Sequence, residues 1–302
     1  MRLGDCSHLP FSRGEAERLR QEDEQATIKV PFDPAFPEDL RLRTLAGRPI
    51  LTWPATLPER DPRGVLSAGR FECWKKASDS KVGIAGSYFT YKGAGRVAIH
   101  SHLEARLLTY FEMCPFVVEI RTQYPAWDRE KYLSNCANEK RMRKTEIMTI
   151  DFMLRLYIPG HGFRYHGVSG KPSAFLKDDR VVRRHDREAD NLWLWESTHE
   201  AMTEKTVPDI EYRNLRRLLA SMRHTEDIGA YTLRAAELAR ELYATKARGP
   251  LSRVLRLMSN RFNRSTRSTY RIFAIAHFLG YLRWDHRYPL DARLPMMLMR
   301  GE

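Results

Sequence analysis

Long apolar runs are missing from this 302-residue sequence. No stretch approaches the roughly eighteen consecutive apolar residues that a membrane-crossing helix needs, so no membrane partner is expected. The first residues, Met1 to Asp5, have no apolar core of the kind that marks a secretory leader, and none is expected. Cysteine is scarce: Cys6, Cys73, Cys114 and Cys136 lie far apart, without the close pairs that hold zinc. That argues against a disulfide framework and for reduced thiols in a cytosolic compartment. Acidic residues are also in short supply, 38 against 51 lysines and arginines, for a formal charge of +13. Such an excess favours a polyanionic partner, because every neutralised phosphate releases counterions. A basic but unrelated surface, or an acidic protein partner, would carry the same charge.

What is present fits a globular protein: 42% hydrophobic and 29% charged residues, in a chain long enough for one large or two moderate domains. Three regions are expected. Residues 1–84 scatter Pro, Gly and Arg through Pro31–Pro37, Trp53-Pro54 and Pro58–Pro62, with a short charged helix around Glu15–Glu24. They read as an extension packing on other surfaces, and no chemistry attaches to them.

Residues 85–207 carry clearer periodicity. Tyr88–Tyr91 and Arg96–His100, split by Lys92-Gly-Ala-Gly95, predict a hairpin. Leu103, Leu107, Leu108 and Phe111 predict an amphipathic helix from Ser101 to Met113, ended by Pro115. Phe116–Thr122 predicts a strand, and the charged stretch Asp128–Lys144 a loop or solvated face. Ile147–Tyr157 and Gly162–Ser169 predict two strands joined at Pro159-Gly-His-Gly162. Antiparallel pairing about that turn sets Asp151 near Ser169 and Gly170, with Lys171 two residues beyond Ser169. A charged helix follows over Asp178–Trp195.

This order of residues points to chemistry. Glu104 on a helix, Asp151 on one strand, then Ser169-Gly-Lys171 at the end of the next, is the residue set of a metal-dependent nuclease. Hard cations take carboxylate oxygens, and a lysine offsets charge developing on a phosphate. Each residue also has a plain reading. Ser101-His-Leu-Glu104 is formally a capping box, Asp151 among Ile150 and Phe152 must be paired or sit at an edge, and Lys171 suits a strand end.

Residues 208–302 read as helical and basic. Glu211–Met222 and Leu233–Tyr243 form two helices, and Tyr270–Phe278 an apolar one ending at Gly280. Between Leu251 and Pro289 stand Arg253, Arg256, Arg261, Arg264, Arg267, Arg271, Arg283 and Arg287, against the single acid Asp285. The first six are candidate DNA contacts. With Tyr281–Trp284 as a small wing, the region resembles a winged-helix module; an all-α packing domain with a solvated basic face fits equally.

The chain is similar to the TnsA endonuclease subunit of heteromeric transposases, a restriction-endonuclease-like family. The likeness rests on Gly86-Ser-Tyr-Phe-Thr, Ser101-His-Leu-Glu104, Val118–Pro125, Ile150-Asp-Phe152, Val168-Ser-Gly-Lys171, Met202-Thr-Glu-Lys205 and Tyr212–Arg216. It spans residues 86–219, roughly half the chain. It implies an α/β nuclease core, a mixed sheet flanked by helices, over residues 85–207. It makes Glu104 and Asp151 the carboxylates for one or two Mg²⁺ ions, with Mn²⁺ substituting, and Lys171 the catalytic lysine. Ser169, a candidate catalytic and metal-ligating residue, stands where the family commonly has Gln, so a second metal would be loose, water-mediated or held by another carboxylate such as Glu119. Gln123 matches a recurrent Gln-x-Pro position. The implied activity is 5′-strand cleavage at transposon ends, beside a DDE transposase (TnsB-like) and an AAA+ ATPase regulator (TnsC-like), in the bacterial nucleoid. A non-catalytic assembly factor and a stand-alone restriction-type nuclease remain alternatives.

Overall fold

The computed structural model describes residues 39–299, apart from 47–48, 50–52, 62, 80–84, 139 and 141. The charged helix expected at Glu15–Glu24 lies outside the described residues. The chain divides into two compact units. One holds residues 56–107 and 116–206 together with the segment before 47; the other holds 47–55, 108–115 and 207–302.

The first unit opens with the expected hairpin. Strands β1 (Gly86–Thr90) and β2 (Gly95–Ile99) pair antiparallel as a two-stranded sheet. Helix α1 (His102–Met113) follows. Strand β3 (Val117–Ala126) runs four residues past the predicted Thr122, through Pro125. Part of the stretch expected to be a loop is instead the short helix α2 (Arg129–Ala137), started by Asp128, whose Oδ1 accepts the Lys131 N–H at 2.8 Å. A side-chain acceptor at a helix start satisfies an orphan donor and supports a helix that has little apolar face.

Strands β4 (Met148–Ile158) and β5 (Gly162–Gly170) form the long hairpin, and α3 (Asp179–Trp193) is capped by Asp178. The run after α3 is strand β6 (Ser197–Met202), which pairs parallel with β5. The result is a four-stranded mixed sheet in the order β3-β4-β5-β6. Its core gathers Tyr124, Trp127, Ile150, Met153, Tyr165 and Leu192, with Val65 from the N-terminal segment. Helices cover both faces. A Cβ at Gly170 would meet Leu107 of α1 at 3.1 Å, and one at Gly167 would meet Leu192 of α3 at 2.3 Å. Residues three apart on a strand face opposite ways, so the two bare positions admit α1 and α3 on opposite sides of β5.

The second unit is built from α4 (Asp209–Met222), α5 (Thr232–Ala244), α6 (Leu251–Arg261) and α7 (Thr266–Phe278). Helix α7 is buried from Ile272 to Phe278 and packs against the other three. It ends at Gly280 (φ 78°), where the Tyr281 N–H reaches the Ala276 carbonyl, the left-handed stop that glycine permits. Among the described residues the expected wing is not a hairpin: Trp284 meets Leu298, and Pro250 meets Pro295, in single bridges.

Candidate active site

The register of the long hairpin decides where Asp151 lies. Phe152 pairs with Val168 and Ile158 with Gly162, so Asp151 falls opposite Ser169. Its Oδ2 accepts the Gly170 N–H at 2.9 Å. Lys171 begins just past the end of β5, its own N–H bonded to the Met202 carbonyl at the end of β6.

Glu104 enters from the first turn of α1, where its plain reading is seen directly. Its N–H donates to Ser101 Oγ (3.1 Å), the Ser101 hydroxyl donates to Oε1 (3.0 Å), and the His100 N–H donates to Oε2 (3.0 Å). The capping box is therefore formed. The same carboxylate is 7% exposed, and its pKa is pushed up to about 7, first by burial and then by the charge of Asp151. The His100 and Ser101 hydrogen bonds and the Lys171 ammonium oppose that rise. Asp151 is likewise raised by burial, against Lys171, the Gly170 N–H and Arg184, with Glu188 adding to the rise. Glu104 on α1 thus feels the charges of Asp151 on β4 and of Lys171 just past β5, and Asp151 feels that of Lys171.

Gln123 belongs to the same place. It falls between the pairs Thr122–Phe152 and Tyr124–Ile150, hence opposite Asp151, and its Nε2 donates to Glu104 Oε2 at 3.3 Å. Its φ is +50°, in the left-handed region that a residue with a Cβ rarely enters, while its carbonyl accepts the Trp74 N–H at 3.0 Å. Backbone strain of this kind persists where the surroundings over-determine it, and it clusters at functional sites.

Ser169 turns to a second cluster. Its hydroxyl donates to Glu188 Oε2 at 2.6 Å and lies 3.2 Å from His199 Nε2. Glu188, on α3, is fully buried and also accepts Arg184 Nε at 2.7 Å, while Arg184 NH2 reaches the Thr149 carbonyl at 3.2 Å. Burial opposes ionisation of Glu188. The hydrogen bonds from His199 and Ser169, with Arg184, outweigh it and hold the carboxyl down at about 2. Ser, His and Glu in contact suggest a nucleophilic triad, but the geometry excludes one. Glu188 and Ser169 both approach Nε2 of His199, the carboxylate at 3.4 Å, whereas a relay needs them on different ring nitrogens. Sequence reasoning missed Glu188, Arg184 and His199. The available signal was Glu188 recurring on the buried stripe of α3 with Asn191 and Leu192.

Glu119, considered as a spare metal ligand, is engaged elsewhere: its Oε1 accepts the Ala68 N–H at 2.7 Å and lies 3.7 Å from Arg121 Nε. Of the six candidate DNA-binding arginines, Arg261 pairs with Glu241 at 2.8 Å and Arg264 with Glu237 at 3.9 Å. Arg253, Arg256 and Arg267 are exposed, and Arg271 is half-buried.

A divalent cation fits the carboxylate pair. Two carboxylates whose burial raises their pKa values would both be relieved by a nearby dication. Among the described residues no group of three or more His, Cys, Asp or Glu is arranged to hold a metal. A pair suits Mg²⁺, which commonly takes one or two carboxylates and completes its shell with water and substrate phosphate. No family model and no curated protein sequence matches the chain. Among the described residues, no helix is long and apolar enough to cross a membrane.

Proposed function

We propose that the chain is a Mg²⁺-dependent DNA endonuclease, the 5′-strand-cleaving subunit of a heteromeric transposase. The observation that carries this reading is the convergence of Glu104, Asp151 and Lys171 at one end of a mixed sheet, with both carboxylates raised by burial. Glu104 and Asp151 would hold the ion, with Mn²⁺ able to substitute for Mg²⁺. When bound, the ion supplies charge neutralisation at the phosphoryl group and acidifies a coordinated water. Lys171 sits at the strand end to neutralise the non-bridging oxygens of the scissile phosphate. Gln123 fixes the Glu104 carboxylate, and the Gly170 N–H fixes that of Asp151. Ser169 acts through Glu188 rather than by meeting the ion, since its hydroxyl is buried and spent on that carboxylate. In this reading the basic helical unit meets transposon-end DNA, a DDE transposase and an AAA+ ATPase regulator, in the bacterial cytoplasm.

The spent Ser169 hydroxyl favours one competing reading, a DNA-binding assembly factor with the fold and no turnover. Strand-resolved cleavage of a labelled transposon end, with Mg²⁺ and the partner transposase, separates them. Nicks at the 5′ ends by the wild type that vanish in Asp151→Ala support the nuclease. Bound DNA with no nicks supports the assembly factor.

A further inference from the structure

The second unit contains a cavity of about 230 Å³ between the end of α4 and the start of α7, lined by Ser221, Arg223, His224, Arg267, Tyr270 and Arg271 with Ala220. Several arginines of this unit are matched with acids: Arg217 and Arg293 with Asp291, Arg240 and Arg261 with Glu241, Arg264 with Glu237, Arg287 with Asp285. The cavity lining contains no carboxylate. Among the described residues none of Arg223, Arg267 and Arg271 pairs with one. Asp291, whose charge is felt by Tyr270, is already held by Arg217 at 3.9 Å and Arg293 at 3.3 Å. The Arg271 Nε is buried and has no hydrogen-bond partner, a costly state for a donor of this strength.

Three arginines line one small space with no carboxylate among them, and like charge gathered in a concave site favours an anion. The guanidinium fork matches the oxygens of a phosphate, and the space has room for one with some of its water. Arg267 and Arg271 also stand in the first turns of α7, where the helix dipole favours negative charge.

We infer that Arg223, Arg267 and Arg271 form a pocket for a single phosphate group of a nucleic-acid strand. The inference shares with the proposed function only the expectation that the chain meets nucleic acid; it does not need the carboxylate site. Arg223 lies outside the arginine-rich stretch that draws attention in the sequence, and the fold brings it there.

The test is equilibrium binding of the full chain to a labelled DNA duplex, in chelator, across a salt series. Chelator makes the result independent of any metal at Glu104 and Asp151. Arg223→Gln/Arg267→Gln changes two exposed side chains, so folding is not at stake. The expected result is a loss of about tenfold in affinity at low salt, and a salt slope shallower by about 0.9, one phosphate contact. Arg293→Gln, which removes a paired arginine, should leave both unchanged. An unaltered slope in the double variant, or an equal loss in Arg293→Gln, would overturn the inference. So would inorganic phosphate raising the melting temperature of the wild type and not of the double variant while DNA binding stays the same, since the occupant would then be a free anion.

Discussion

Two buried carboxylates in the first unit behave in opposite ways. Glu188 is fully enclosed and yet held down at about 2; Glu104, nearly as buried, is pushed up to about 7. Burial penalises both. The difference is company: Glu188 has Arg184, His199 and Ser169, whereas Glu104 faces another carboxylate, with hydrogen bonds and the charge of Lys171 in its favour. A compensated buried charge is finished structure. An uncompensated one costs stability until a cation arrives, and perturbed pairs of that kind mark functional sites.

The sharpest way to break this contrast is Asp151→Asn. Metal-dependent cleavage should fall on the order of 10³-fold or more, the scale on which loss of a contact to the reacting group is felt. In the metal-free protein the Glu104 carboxyl should titrate lower than in the wild type, read by NMR, because the charge of Asp151 is gone. An unchanged Glu104 titration would mean that the pair is not repulsive. Glu188→Gln should act on stability instead. Leaving Arg184 and His199 beside a neutral group is expected to cost about 3 kcal/mol in chemical denaturation. Because the Glu188 carboxyl is depressed, its contribution is present above its ordinary value of 4.5 and is lost as pH falls towards about 2. The denaturation curves of the wild type and of the Glu188→Gln variant should therefore converge in acid.

A smaller effect separates the sites by pH. Glu104 binds its proton more tightly in the folded chain than in the unfolded one, so metal-free stability declines as pH rises from 4.5 to about 7. Metal must displace that proton. Mg²⁺ affinity, read from the shift in melting temperature, should rise about tenfold per pH unit up to pH 7 and then level off. A pH-independent shift would place the metal elsewhere. The mildest change is Gln123→Gly, which keeps the left-handed backbone and removes the amide. Stability should move by less than about 1 kcal/mol, while cleavage drops several-fold, towards the ~10-fold typical of a lost supporting contact. If cleavage held, Gln123 would be a backbone element only.

The carboxylate site was legible because its signals are local. The Pro159–Gly162 turn sets the β4–β5 register, and the register brings Asp151 to Ser169 and Gly170. The capping box and the leucine spacing together place Glu104 at the start of α1. The Glu188 cluster was not legible. Its meeting with Ser169 depends on how closely α3 lies over Gly167 and on His199 arriving from a parallel strand, neither of which has a signature at short range. Strand β6 itself, Ser-Thr-His-Glu-Ala-Met, is polar at alternate positions and too short to stand out. Counting arginines found a basic stretch in the second unit but could not tell the ones tied to Glu237 and Glu241 from those left free. That distinction requires the helix packing.

Strand β6 also fixes when the site can exist. Lys171 is anchored through its backbone to Met202, and the Ser173 N–H is held by Glu204 at 2.9 Å. A nascent chain that has reached Lys171 already contains both carboxylates and the lysine, yet has nothing to seat the lysine against. The thirty or so residues that follow, α3 and β6, must be made and folded back before Lys171 has that anchor. On the proposed function, a ribosome-bound intermediate is thus harmless to the genome being transcribed beside it, and the shortest excised fragment worth testing for metal binding extends to Glu204.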